Sequence, residues 1–130
     1  MNTPVSFELA KLLKEKGFDN ESAHYYNENG EMLFDTDYPS LQPTKPHVYY
    51  DNPTIAEVVM WFYDKHGIWI NIDWTPQNNG DEYPCEVYWY YFISEQVGNP
   101  EKTIDNCQTS NINSPTEAYF TAIECALKLI

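Results

Sequence analysis

The side chains that enzymes most often use for proton transfer are few in this sequence and stand far apart. Its three histidines are His24, His47 and His66. Nucleophilic catalysis needs a nucleophile next to such a base, and no motif of the G-x-S-x-G kind accompanies any of them. His66 precedes Gly67, where an imidazolium ion would interact well with the C-terminus of a helix. We therefore predict no catalytic residues and favour a non-enzymatic protein.

Side-chain oxygens that could bind a metal ion are concentrated in residues 73–82. They belong to Asp73, Asn78, Asn79, Asp81 and Glu82. Their spacing does not match an EF-hand, and an Asn-Asn-Gly-Asp segment is also an ordinary hairpin turn. The five glycines of the chain include no Gly-rich phosphate-binding loop. We predict neither a metal site nor a cofactor.

The cysteines bear on the compartment of the protein. Cys85, Cys107 and Cys125 are odd in number and show no C-x-x-C spacing. Disulfide frameworks and zinc sites use paired cysteines, so free thiols in a reducing compartment are expected. The apolar runs are shorter than the ~20 residues that a membrane span needs, and the N-terminus lacks the features of a secretory signal. A cytoplasmic protein that does not associate with membranes is therefore expected.

Acidic residues outnumber basic ones by 20 to 7, which gives a formal net charge of -13. Such a charge repels the phosphates of DNA and RNA, so we expect no direct binding to nucleic acid. It would favour a basic protein partner, although a high charge also simply keeps proteins in solution. The sequence leaves the identity of a partner and the oligomeric state open.

The pattern along the chain predicts an α+β fold in a single domain, residues 1–130, with the element order α-ββ-α-ββ-α. The first helix begins after the N-cap Ser6 and ends at Gly17. A weaker pattern over residues 22–34 predicts a hairpin around the turn at residues 27–30.

The second and third helices share a start signal, which is a cap residue followed by proline at the first helical position. The caps are Asn52, before Pro53, and Ser114, before Pro115. Glu117 completes a capping box with Ser114. Apolar residues cover most of the third helix, which predicts that it is largely buried. They are Ala118, Ala122, Ile123, Cys125, Ala126, Leu127 and Leu129.

Residues 68–74 and 85–93 give the clearest strand signal and predict the central antiparallel hairpin of the sheet. Strict alternation divides each strand between two faces. The first face should pack against the second and third helices. It carries Ile68, Ile70, Ile72, Trp74, Cys85, Val87, Trp89, Tyr91 and Ile93, whereas Trp69, Asn71, Asp73, Glu86, Tyr88, Tyr90 and Phe92 lie on the other.

Two groups of residues are candidates for binding. On the second helix, Trp61 falls in line with Glu57, Asp64 and Lys65. A tryptophan on a polar stripe is either a binding anchor or covered by another part of the chain, for which the proline-bearing residues 35–52 are available. The second group is the aromatic side of the hairpin, which either binds a partner or is covered by the first helix. Its candidates are Trp69, Tyr88, Tyr90 and Phe92.

Three segments, LAKLLKEKGF, PTIAEVVMWFYDKHGIWI and SPTEAYFTAIECALKLI, together resemble a group of small acidic proteins of unknown function. This group occurs in gut anaerobes and their bacteriophages. The resemblance carries no activity and no site residues. It implies a bacteriophage, prophage or other mobile-element gene in a bacterial cytoplasm, a context in which an interaction protein is more expected than a metabolic enzyme.

Two functions follow from these observations. The first is a non-enzymatic protein-interaction module that uses acidic charge and exposed aromatic residues to bind a basic protein. The alternative is a domain that binds a small ligand, and conceivably acts on it, in a pocket between the aromatic sheet face and the N-terminal segment. The polar groups of that pocket would be Tyr88, Tyr90, His24 and Glu86.

Overall fold

The computed structural model describes residues 3–20, 22, 24–34, 48–76, 87–95, 103–106, 112 and 114–130. The predicted α+β class is confirmed, with helices and two antiparallel sheets. In chain order the elements are α1 (Phe7–Glu15), β1 (His24–Asn27), β2 (Met32–Phe34), β3 (Tyr49–Asp51), α2 (Ile55–His66), β4 (Trp69–Pro76), β5 (Val87–Ser94), β6 (Thr103–Asn106) and α3 (Pro115–Leu127). Within the described residues, each sheet has one strand more than the predicted hairpin. The chain divides into two compact units, Met1–Val58 and Val59–Ile130.

Helix α1 of the first unit is defined by its two ends, as predicted. The Ser6 hydroxyl accepts a hydrogen bond from the Leu9 backbone N–H at 3.3 Å. At the other end Gly17 has a φ of 89°, a left-handed conformation that glycine adopts without steric cost. The Phe18 N–H then reaches back to the Leu13 carbonyl at 2.9 Å, which completes a Schellman motif and buries the Phe18 ring.

The sheet of the first unit has the strand order β2-β1-β3, with both pairs antiparallel. The predicted hairpin is confirmed, because β1 and β2 are joined by a turn in which the Gly30 N–H donates to the Asn27 carbonyl. The Asn27 side chain also accepts from the N–H groups of Asn29 and Glu31. One face of β1 is tied to the N-terminal segment, since the Tyr26 hydroxyl donates to the Val5 carbonyl at 2.9 Å.

Helix α2 begins two residues later than the sequence pattern predicted. The N-cap is Thr54, whose hydroxyl accepts from the Glu57 N–H at 3.3 Å, and the Glu57 carboxylate accepts from the Thr54 N–H at 2.7 Å. This reciprocal pair is a capping box, and it satisfies two backbone donors where an Asn52 cap would satisfy one. The Asn52 backbone N–H is instead bound to the His24 carbonyl, which holds the residue at the end of β3.

The sheet of the second unit has the order β4-β5-β6 and contains the predicted central hairpin. In the register, Ile70 pairs with Ile93 and Ile72 with Tyr91, which confirms the predicted division into two faces. The first face packs on α3, where the hydroxyl of Tyr91 lies 2.9 Å from the Sγ of Cys125. Trp74 belongs to this face by register but is exposed.

Helix α3 begins as predicted, with the Ser114 hydroxyl accepting from the Glu117 N–H at 3.1 Å and Pro115 in the first turn. Its alanines, together with Ile123 and Leu127, are buried. Leu129 is exposed because it lies beyond the last helical residue. Within the described chain, no helix combines the length and the apolar character needed to cross a membrane.

Candidate functional site

The side of the β4–β5 hairpin that faces away from α3 carries four of the predicted site residues. We call Trp69, Tyr88, Tyr90 and Phe92 the aromatic face. Their side chains are all partly exposed. Direct and diagonal neighbours on one side of an antiparallel pair lie about 5–8 Å apart, within reach of aromatic rings. The pleat therefore assembles these residues into one surface, although they are separated in sequence.

Hydrogen bonds fix the β4 half of this surface. The indole Nε1 of Trp69 donates to the Oδ1 of Asn71 at 3.0 Å, which holds both side chains along the strand. The Nδ2 of Asn71 is buried and has no hydrogen-bond partner within the described part of the chain. The Trp69 ring is thus held in one orientation by a neighbour on its own strand.

Asp73 lies directly opposite Tyr90 and is the acidic group closest to the rings of the aromatic face in the register. Burial raises the pKa of the Tyr90 hydroxyl, and so do the negative charge of Asp73 and a hydrogen bond between the two side chains. The Asp73 Oδ1 also accepts from the Trp74 N–H at 2.8 Å. A backbone hydrogen bond therefore orients an exposed carboxylate that lies opposite Tyr90 among the aromatic side chains.

Helix α2 extends the aromatic face onto a second element. The rings of Tyr63 and Trp69 meet nearly edge to face, with centroids 5.6 Å apart and an interplanar angle of 83°. Tyr63 is 45% exposed, and Met60 and Asp64 are exposed beside it on the helix. Tyr63 and Met60 were not among the residues predicted from the sequence. Their position on the side of the helix opposite Val58, Val59 and Phe62 is the signal that could have found them.

Trp61 is not on the exposed stripe of α2, where the sequence analysis placed it. It is only 4% exposed, and its indole ring contacts Phe62 and His66 at centroid distances of 5.0 and 4.8 Å. Successive helical residues are about 100° apart, so Trp61 stands at the border between the buried and the polar sides. A large ring at a border can turn inward. Of the two alternatives for Trp61, burial is therefore the one that the structure shows, and the exposed anchor is not. Most of the proline-bearing segment that was expected to cover it lies outside the described residues.

Glu57 has a structural role on the same helix. Its carboxylate accepts the Thr54 N–H in the capping box at the start of α2. The residue is exposed but belongs to the unit Met1–Val58, whereas the aromatic face belongs to Val59–Ile130. Of the predicted site residues, the structure therefore brings together Trp69, Tyr88, Tyr90 and Phe92, with Asp64 on the adjoining exposed side of α2.

The first unit contains a pocket of about 120 Å³. It is lined by Ala10, Lys14, Phe18, Tyr49 and Asp51. The Lys14 ammonium donates to the Tyr49 carbonyl at 2.6 Å and lies over the Tyr49 and Tyr50 rings. Pockets for small ligands usually enclose about 300–1,000 Å³, so this one is small for an organic molecule.

Metal-binding side chains do not cluster among the described residues, where no group of three His, Cys, Asp or Glu could hold an ion. The oxygen-rich loop is described only to Pro76, so most of that candidate lies outside the described residues. Cys85 and Cys107 also lie outside the described residues, and Cys125 is a free thiol. The alternative function, a ligand pocket between the aromatic sheet face and the N-terminal segment with Tyr88, Tyr90, His24 and Glu86 as polar groups, stays a prediction, and Glu86 lies outside the described residues.

No protein-family model matches this chain, and no match was found among curated proteins or solved structures. The geometry and charge of the aromatic face are therefore the observations that bear on function.

Proposed function

We propose that this protein is a non-enzymatic interaction module that binds a basic protein through the aromatic face and the adjoining side of α2. The observation that carries the proposal is the contact between Tyr63 and Trp69, because it joins exposed residues of a helix to the rings of a sheet. Tyrosine, tryptophan and methionine are enriched in the centres of protein interfaces, and tyrosine and tryptophan bury a large area there at a low cost in conformational entropy. A surface spanning two elements also offers a partner more area than one strand does.

The acidic charge supports a basic partner. The formal net charge is -13, and exposed carboxylates of Asp64 and Asp73 lie next to the aromatic residues. A field of one sign speeds the encounter with a protein of the opposite sign and disfavours other partners. Aromatic rings beside carboxylates also suit the ammonium and guanidinium groups of a basic protein, through cation–π contacts.

The proposed setting is the cytoplasm of a bacterium, in a bacteriophage, prophage or other mobile-element context. It is supported by the resemblance of three segments to acidic proteins of gut anaerobes and their bacteriophages. The proposal does not include direct binding to nucleic acid, because the same field repels phosphate groups.

Affinity capture from the cells of origin, at low salt and at about 1 M salt, tests this function, since the Debye length falls to about 3 Å at the higher concentration. An unrelated acidic protein of similar net charge serves as the control bait. We expect a basic protein to be retained by this chain alone and largely lost at high salt. Retention by both baits, or capture of an acidic protein that salt does not release, would contradict the proposal.

A further inference from the structure

We propose that the partner docks through an arginine whose guanidinium group binds Asp73 between the rings of Tyr88 and Phe92. This inference rests on the proposed function and adds the chemistry of the group that is recognised. Three features of the second unit support it: the strand register, the backbone hydrogen bond to Asp73 and the rings that flank this residue.

The register places one carboxylate at the centre of three rings. Asp73 pairs directly with Tyr90. Tyr88 and Phe92 are the partners of Thr75 and Asn71, so they are the two diagonal neighbours of Asp73 on the same face. Diagonal neighbours of this kind are within reach of aromatic side chains. A cation that binds the carboxylate therefore meets aromatic rings on both sides along the strand.

The carboxylate is oriented but not saturated by its neighbours. It accepts a hydrogen bond from the Trp74 N–H, and Tyr90 lies opposite it on the neighbouring strand. An ionised carboxylate has about four lone-pair sites, so most of them remain for a ligand. Its exposure leaves those sites open to a partner. A group held in this way loses little conformational freedom when it binds.

Arginine suits this arrangement better than lysine does. The guanidinium group is planar, offers its donors in a fork that matches a carboxylate, and stacks on aromatic rings. An ammonium group is more strongly hydrated and binds as a point charge. Because Asp73 is a single carboxylate flanked by rings, the planar shape and the weaker hydration of the guanidinium group favour arginine over lysine.

The test uses three short capped peptides that differ only at a central arginine, citrulline or lysine, and follows the Trp69 indole resonance by NMR. Citrulline keeps the planar shape and lacks the charge. We expect the arginine peptide to bind at least about tenfold more tightly than the citrulline peptide, which corresponds to about 1.4 kcal/mol. The lysine peptide should lie between them. Equal binding of the arginine and citrulline peptides would overturn the inference.

The variants Asp73→Asn and Glu124→Gln extend this test. Asparagine retains an oxygen for the Trp74 N–H, so the strand geometry is preserved while the charge is lost. Glu124 is an exposed carboxylate on α3, which packs on the other side of the sheet, so its change should have no effect on binding. Asp73→Asn should weaken the arginine peptide about tenfold. Equal effects of the two variants would count against the site, and the comparison of peptides needs no variant if one of them fails to fold.

The two proposals can fail separately. If a captured basic protein depends on Tyr63 but the arginine and citrulline peptides bind equally, the interaction module stands and the arginine inference is wrong. If the arginine peptide is preferred but no basic protein is retained, the site stands and the proposed function is wrong.

Discussion

The burial of Trp61 changes which side chains of α2 are available to a partner. The indole is buried, while Met60 and Tyr63 on either side of it in sequence are exposed. A residue at the border of an amphipathic helix can be placed by its neighbours on either side, and large rings gain most from burial. The exposed side of α2 is thus defined by Met60, Tyr63 and Asp64.

Replacing Trp61 by Ala should destabilise the protein by about 3–5 kcal/mol, because truncating a buried aromatic ring leaves a cavity. The matched control is Met60→Ala, which removes an exposed side chain and should change the free energy of unfolding by less than about 0.5 kcal/mol. Urea unfolding monitored by circular dichroism measures both. Equal effects of the two variants would contradict the burial of Trp61.

Replacing Asn52 should stabilise the protein, whereas replacing Trp61 should destabilise it. It is 4% exposed, and its Nδ2 and Oδ1 are buried without a hydrogen-bond partner in the described residues. A buried polar group without a partner costs about 1–3 kcal/mol, so Asn52→Leu, which replaces the two amide atoms by methyl groups with the same branching, should raise the free energy of unfolding by up to that amount. Asn20→Leu, at an exposed position, is the control. Destabilisation by Asn52→Leu would show that the amide is bound after all.

The raised pKa of Tyr90 predicts how stability changes in alkali. Tyrosine in an unfolded chain ionises near pH 10, and burial, then the charge and hydrogen bond of Asp73, keep the native hydroxyl protonated at higher pH. The contribution of the Tyr90 hydroxyl to the free energy of unfolding is therefore complete below about pH 10 and is lost as the pH rises through the native pKa. Burial also raises the pKa of Tyr26 and Tyr119. The free energy of unfolding should fall above about pH 10, and it should fall less steeply in the Tyr90→Phe variant. Urea unfolding of both proteins across this pH range measures the difference. Parallel curves of unfolding free energy against pH would show that Tyr90 is not involved.

Among the helices and strands, the sequence predicted those whose position is determined by local signals. Helices α1 and α3 carry caps that satisfy their own first backbone donors, and the alternation around Ile70 and Tyr91 specifies both faces of the hairpin. Strand β3, by contrast, is three residues long and forms through pairing with β1, which no local pattern of its own reveals. The aromatic face could be predicted from alternation, whereas its extension to Tyr63 depends on where α2 meets the start of β4.

Substitutions at the start of α2 test which residue caps this helix. Thr54→Ala removes the hydroxyl that accepts the Glu57 N–H and should destabilise the protein by about 1 kcal/mol. Glu57→Gln keeps an oxygen that can accept the Thr54 N–H, so its effect should be smaller. Thermal unfolding of both variants checks this. If Thr54→Ala is neutral while Asn52→Ala has the larger effect, the helix begins where the sequence pattern placed it.

At the scale of the whole molecule, the charge and the aromatic surface make separable contributions. The net charge of -13 acts over distance and sets the rate of association with a basic partner, which salt should lower. The rings act only in contact and set the rate of dissociation. A salt effect alone therefore cannot identify the contact surface, because any acidic protein would show one.

Two exposed residues allow the surface to be tested directly. Tyr63, on the proposed surface, is 45% exposed, and Leu129, beyond the end of α3, is 44% exposed. The decisive measurement is the dissociation constant of the captured basic protein for Tyr63→Ser and for Leu129→Ser, by calorimetry at one salt concentration. We predict that Tyr63→Ser weakens binding by about tenfold or more, as loss of an interface anchor does, while Leu129→Ser changes it by less than about twofold. Equal effects, or a larger effect at Leu129, would contradict the account.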